Sequence, residues 1–162
     1  MSTIDDLIAA AHAGNVEAQT SLGYQYDTGE LVTRDFEKAV YWYRLAAEKG
    51  HPNAEFNYAE MMRDGVGVEK SVSGAMEWYR RAAMHGNAKA AYCLGILYAS
   101  GNETPADLVQ AFAWLCLAED GQASGATKAK EIIAGALGEK LEEALRLAKR
   151  FRNQHFDNPR EN

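Results

Sequence analysis

At 162 residues, with 47% hydrophobic and 25% charged side chains, the chain is long enough to bury a core of its own without disulfide or metal staples. Its 17 basic and 23 acidic residues leave a formal charge of −6, so a phosphate backbone meets net repulsion and nucleic acid is excluded as the expected partner. The two cysteines, Cys93 and Cys116, match no disulfide framework, CxxC pair or zinc spacing, and no run reaches the roughly 18 apolar residues of a membrane span.

The first element, in "MSTIDDLIAAAHAGN", carries two early acids and a short apolar run instead of a basic start and a long apolar stretch, so no export signal is read and a cytoplasmic location is expected. It is predicted to be a capping helix over 1–14. From residue 15 the chain repeats itself. The three tryptophans, Trp42, Trp78 and Trp114, stand 36 apart, and so do Gly29, Gly65 and Gly101; Ala18, Ala54 and Ala90; Ala39, Ala75 and Ala111; and Ala46, Ala82 and Ala118. Gly14, Gly50 and Gly86 mark the boundaries in the same phase. A period of this length is that of a helical solenoid, and the units are placed at 15–50, 51–86 and 87–122.

Within each unit a first helix is expected in "NVEAQTSLGYQYDTG", "HPNAEFNYAEMMRDG" and "NAKAAYCLGILYASG", where small and apolar residues recur three and four apart and a glycine ends the run. A second helix follows in "DFEKAVYWYRLAAEKG", "SVSGAMEWYRRAAMHG" and "DLVQAFAWLCLAEDG", with Asp35, Ser71 and Asp107 at the N-cap position. The in-phase alanines allow close helix approach and the tryptophans fill the wider gaps. A lone unit cannot bury such a face; stacked units can.

The third unit departs from the pattern as a terminal unit should: Leu115 stands for Tyr43 and Tyr79, Glu119 for Ala47 and Ala83, and Gln122 for the boundary glycine. Residues 123–152 are expected to form a short irregular helix and a long amphipathic one with Leu141, Ala144, Leu145 and Ala148 on one face. The polar end, 153–162, is expected to be a disordered tail. The fold class is therefore all-α, a right-handed α/α superhelix of helix-turn-helix repeats.

Catalytic patterns are sparse. The loop "GVGVEKS" at 65–71 looks like a phosphate loop, yet Glu69 occupies the position before Lys70 where a P-loop needs glycine, and no strand precedes it; a turn needing positive φ is the expectation. His12, His51, His85 and His155 are scattered without an HExxH partner, and the acid pairs Asp5–Asp6 and Glu142–Glu143 read as solvated helix faces. The sequon "NET" at 102–104 precedes Pro105 and is given no role. No catalytic, cofactor-binding or metal-ligating residue is assigned, and a non-enzymatic protein is expected.

These residues resemble the Sel1-like repeat family, the tetratricopeptide-related α/α repeats. The resemblance rests on Ala18, Leu22, Gly23 and Tyr26, on Ala90, Leu94, Gly95 and Tyr98, on the loop "GVGVEK", on "KAVYWY", "GAMEWY" and "QAFAWL", and on the Ala-Ala-x-x-Gly ending, over 15 to about 122. It implies a superhelical scaffold holding other proteins, an adaptor in bacterial signalling, secretion or host interaction. Some secreted relatives place disulfide cysteines where this chain has Ala47, Ala83 and Glu119, a departure that favours the cytoplasmic expectation.

In such a solenoid the first helices line the concave side. The side chains expected there are Glu17, Thr20, Tyr24 and Asp27, then Asn53, Phe56, Glu60 and Arg63, then Lys89, Tyr92 and Ile96, with Lys128 and Ile132 continuing two of the columns. Large apolar groups on a face that could be charged suit a bound peptide or helix, with aromatics as anchors. The alternative is that Phe56 and Tyr92 pack against neighbouring helices. Self-association through Tyr41, Arg44, Tyr79 and Arg80 is a second interaction mode, and a small-molecule binder or hydrolytic enzyme using the same groove is the alternative from another class.

Overall fold

The computed structural model describes residues 3–102 and 105–156, with the Phe156 side chain outside the description. The described residues are helical with connecting turns: α1 (Ile4–His12), α2 (Val16–Thr28), α3 (Phe36–Glu48), α4 (Pro52–Asp64), α5 (Val72–Met84), α6 (Ala88–Ser100), α7 (Leu108–Asp120), α8 (Ala126–Leu137), a 3-10 turn over Gly138–Lys140, and α9 (Leu141–Phe156). The chain forms two compact units, Met1–Arg81 and Ala82–Asn162.

Each helix pair starts and stops on chemistry visible in the repeat. The first helices α2, α4 and α6 are capped by Asn15, His51 and Asn87, whose side chains accept the N–H of Ala18, Ala54 and Ala90 at 2.8, 3.3 and 2.9 Å. They stop at Gly29, Gly65 and Gly101, with φ of 74°, 72° and 65°. The second helices α3, α5 and α7 are capped by Asp35, Ser71 and Asp107, which accept the N–H of Lys38, Gly74 and Gln110 at 3.0, 3.1 and 3.0 Å. Helix α1 has a full capping box between Thr3 and Asp6.

In the first unit α1 packs on α2, α2 on α3 and α3 on α4. One core cluster joins Ala11, Ala18, Leu22 and Trp42; another joins Ala39, Tyr43, Ala46, Ala47, Ala54, Tyr58 and Met61. The alanines that keep the period are buried because they lie where axes approach. Tyr43 fits because residue 23 is glycine: a Cβ there would lie 2.7 Å from its ring. Two buried polar side chains in the same phase are satisfied differently. Gln19 donates to the Ala11 carbonyl at 3.1 Å and accepts from Lys49 Nζ at 3.2 Å. Glu55, fully buried, meets Arg81 Nε at 3.1 Å, and that guanidinium lies 4.2 Å above the Trp78 ring.

In the second unit α7 packs on α6, α8 and α9. Phe112, Ala113, Cys116, Leu137, Ala144, Leu147 and Ala148 form its core, with Leu141 and Phe151 against it. The apolar face of α9 is thus Leu141, Ala144, Leu147, Ala148 and Phe151. Leu145 is not on it: it is 49% exposed, because it lies one position beyond the stripe that α7 covers. Residues 153–156, expected in the tail, are the last turn of α9; residues 157–162 and the Glu103 and Thr104 of the sequon lie outside the described residues.

Helix α8 starts where a fourth first helix would, with Ala126 buried in phase with Ala18, Ala54 and Ala90. Lys130 stands at the phase of Leu22, Tyr58 and Leu94 and pairs with Glu119, which stands at the phase of Ala47 and Ala83. An ion pair has replaced an apolar contact at the terminal junction. Among the described residues no helix is long and apolar enough to cross a membrane.

Candidate partner-binding face

The first helices of the first unit present the expected side chains as follows. On α2, Glu17 is exposed and reaches His51 Nε2 at 3.1 Å; Thr20 turns its hydroxyl back to the Val16 carbonyl at 3.0 Å; Tyr24 is 46% exposed and donates to Glu30 Oε1 at 3.2 Å; Asp27 is half-buried. On α4, Asn53 is exposed, and Phe56 is half-buried with its ring centroid 5.9 Å from that of Tyr79. Glu60 and Arg63 are half-buried and paired at 2.7 Å.

Arg63 is fully engaged. Its guanidinium bonds both Glu60 oxygens, Asp64 at 2.8 and 2.9 Å, and the Tyr79 hydroxyl at 3.1 Å, while that hydroxyl donates to Glu60. The hydrogen bonds that Arg63 donates to Asp64 hold its guanidinium above the ordinary range and hold the Asp64 carboxyl below the usual carboxylate range. Glu30, accepting the Tyr24 hydroxyl and adding its charge, pushes that phenol up. Burial, then the charge of Asp27, pushes the Tyr43 phenol up.

In the second unit Lys89 and Lys128 are exposed, Ile96 is 40% and Ile132 63% exposed, and Tyr92 is half-buried with its hydroxyl beside Gly125. Neither Tyr24, Phe56 nor Tyr92 is fully buried, although Phe56 also packs on Tyr79.

Two residues of this face were not anticipated. Tyr43 and Tyr79 lie on the second helices but send their rings toward the first. Tyr79 is fully buried, so it cannot serve the self-association surface expected with Tyr41, Arg44 and Arg80. Its alternation with Trp78 places the two rings on different sides of α5, and only the contact with Glu60 and Arg63 reveals which side. Tyr41 is 49% exposed, and Arg44 and Arg80 are partnered by Glu48 and Glu77 at 3.6 and 2.8 Å.

The loop at 65–71 is a turn. Gly67 has φ of 69°, and a Cβ there would stand 2.4 Å from the Phe36 carbonyl oxygen, so only glycine lets the loop lie on the start of α3. Among the described residues no group of three or more His, Cys, Asp or Glu is placed to hold a metal ion. The Cys116 thiol is buried and pushed up by that burial.

The Sel1 repeat model matches residues 16–51, 52–87 and 88–121. Among solved structures, a Sel1 repeat protein from Oxalobacter formigenes is 34% identical with a TM-score of 0.71, over 79% of this chain and 96% of that one. The c5321 structure, a protective antigen present in uropathogenic Escherichia coli strains and displaying an SLR fold, is 26% identical with a TM-score of 0.70. It matches 93% of this chain, which spans 40% of its length. No curated protein matches the chain.

Proposed function

Because the chain belongs to the Sel1 repeat family, whose members commonly serve as protein-interaction scaffolds, we propose that it is a non-enzymatic adaptor that captures a segment of a partner protein on the face of its first helices. The observation that carries this reading is the exposure of large apolar side chains on that face, Tyr24 in the first unit and Ile96 and Ile132 in the second, where solvation alone favours charge. In the first unit Tyr24 and Phe56 are the anchors, and Glu17, Asp27, Asn53, Glu60 and Arg63 set the register of the bound segment. In the second unit Tyr92, Ile96 and Ile132 anchor it between Lys89 and Lys128. The bacterial sources of the two similar structures support a bacterial adaptor.

The test is a crosslinking pull-down from host lysate, followed by binding measurements with the purified partner. Two variants, Tyr24→Glu/Phe56→Glu and Tyr92→Glu/Ile96→Glu, are first checked for helicity by circular dichroism. Wild type retains the partner, and at least one folded variant binds it at least about tenfold more weakly. Equal binding by both variants places the interaction on another surface. A saturable thermal shift with a metabolite and no protein partner favours a small-molecule binder.

A further inference from the structure

In the first unit the ends of α1 and α3 are each met by a side-chain donor, and the donors keep the period of 36. Gln19 Nε2 donates to the Ala11 carbonyl at 3.1 Å, and Lys49 Nζ donates to the Gly14 carbonyl at 2.8 Å and to Gln19 Oε1 at 3.2 Å. One repeat on, Arg81 Nη2 reaches the Ala47 carbonyl at 3.3 Å, while its Nε lies 3.1 Å from Glu55, the residue in phase with Gln19. In the second unit the corresponding carbonyls belong to Ala83 and Gly86, but the donor positions carry no polar side chain: Ala91 stands for Gln19 and Glu55, Leu117 for Arg81, and Gly121 for Lys49. All of these second-unit residues line one cavity of about 170 Å³.

Gly121 shows why the chain does not fill this space itself. A Cβ there would stand 2.5 Å from the Ala88 Cβ, so α7 ends too close to the start of α6 for a lysine. The floor is closed and the rim open: Ala83, Ala91 and Leu117 are buried, whereas Gly86, Asp120 and Gly121 are exposed. His155 forms a further wall from α9, its Nδ1 donating to the Met84 carbonyl at 3.0 Å. The ends of α5 and α7, whose last carbonyls carry partial negative charge, meet here beside the Asp120 carboxylate. Arg152 binds both Asp120 oxygens, at 2.5 and 2.9 Å, which fixes the carboxylate and leaves each oxygen a second acceptor site.

A space of this size takes several waters, at about 30 Å³ each, or one short alkylammonium. We infer that the cavity is a site for a primary alkylammonium ion, which enters from the exposed rim and takes the place that the Lys49 ammonium and the Gln19 amide fill in the first unit. Its three N–H donors match three acceptors, the Ala83 and Gly86 carbonyls and the Asp120 carboxylate, and its methylenes lie on Ala91 and Leu117. The site shares no residue with the partner-binding face and does not rest on the scaffold reading.

The probe is butylammonium chloride, titrated into the full-length 15N-labelled chain at constant ionic strength. Saturable amide shifts at Ala83, Gly86, Ala91 and Gly121 are expected, with a Kd in the millimolar range for so small a ligand. Butanol, which lacks the charge, and butyltrimethylammonium, which lacks the donors, are each expected to bind about tenfold or more weakly. Absence of the shifts, or equal binding of either control, overturns the assignment; tighter binding of butylguanidinium overturns the choice of ammonium. Two variants are first checked for helicity by circular dichroism. Ala91→Gln, which places the first unit's amide in the cavity, is expected to abolish the response, and Asp120→Asn to weaken it about tenfold; an undiminished response in both folded variants overturns the site. The peptide acetyl-Ala-Ala-Lys-Ala-Ala-amide separates the sources: binding alongside butylammonium supports a partner's lysine, and binding of butylammonium alone supports a free amine. A protein captured through Tyr92 and Ile96 by a chain that ignores butylammonium overturns this site and leaves the scaffold reading standing.

Discussion

The most informative single residue is Gln122, which takes φ of 60° where Gly14, Gly50 and Gly86 take 90°, 80° and 97°. The repeat imposes the same left-handed turn on a side chain that resists it. Gln122→Gly is therefore expected to stabilise the protein by about 0.5–1 kcal/mol in urea unfolding, with an unchanged helical spectrum. Gly67 is the converse case, since positive φ and the Phe36 carbonyl both exclude a Cβ. Gly67→Ala is expected to cost about 1–3 kcal/mol in the same measurement. The substitution at 122 was visible in the sequence as a missing glycine; the contact at 67 was not, because Phe36 is thirty-one positions away and keeps no period with it.

At the scale of the element, the helices are held at their starts by a short set of side chains repeated in phase. His51 serves where Asn15 and Asn87 serve in the neighbouring repeats, accepting the Ala54 N–H through Nδ1. His51→Ala is expected to lower stability by about 1 kcal/mol, and His51→Asn to restore it. The capping carboxylates add a pH dependence of defined sign. Asp6 and Asp35 are held below their ordinary value chiefly by the backbone N–H groups they cap. Glu119 is held below its own by the hydrogen bond from Lys130. A carboxyl whose folded pKa is lowered contributes fully above its unfolded value, near 3.9 for Asp and 4.3 for Glu as approximate references, and loses that contribution as pH falls through the folded value. Tm is thus expected to be insensitive to these groups above about pH 5 and to fall in more acidic buffer. Asp35→Asn, which keeps the cap oxygen without the charge, is expected to make that fall shallower.

For the molecule as a whole, each unit has its own core, and in the second the long helix α9 closes it. Leu147 is buried there with Phe112 and Cys116, and the Phe151 ring sits 4.3 Å from that of Trp114. Leu147→Ala is expected to cost about 2–5 kcal/mol. The loss is expected to show as faster labelling of Cys116 by a thiol reagent, since that sulfur is shielded in the folded unit.

What could be read from the chain alone was whatever the period of 36 writes locally: helix pairs, their caps, their glycine stops and the alanines of the close approaches. Each of these depends on contacts within a few residues or on small size at a fixed phase. The tertiary structure alone decided what depends on a distant neighbour. It turned Tyr43 and Tyr79 inward, closed Arg63 on Glu60 and Asp64, moved Leu145 out of the α9 face and brought Leu147 and Phe151 in. The first-helix side chains could be listed from their phase in the repeat, but which of them are already engaged is a property of the packed helices, because a repeat fixes position and leaves partnership to the residue across the gap.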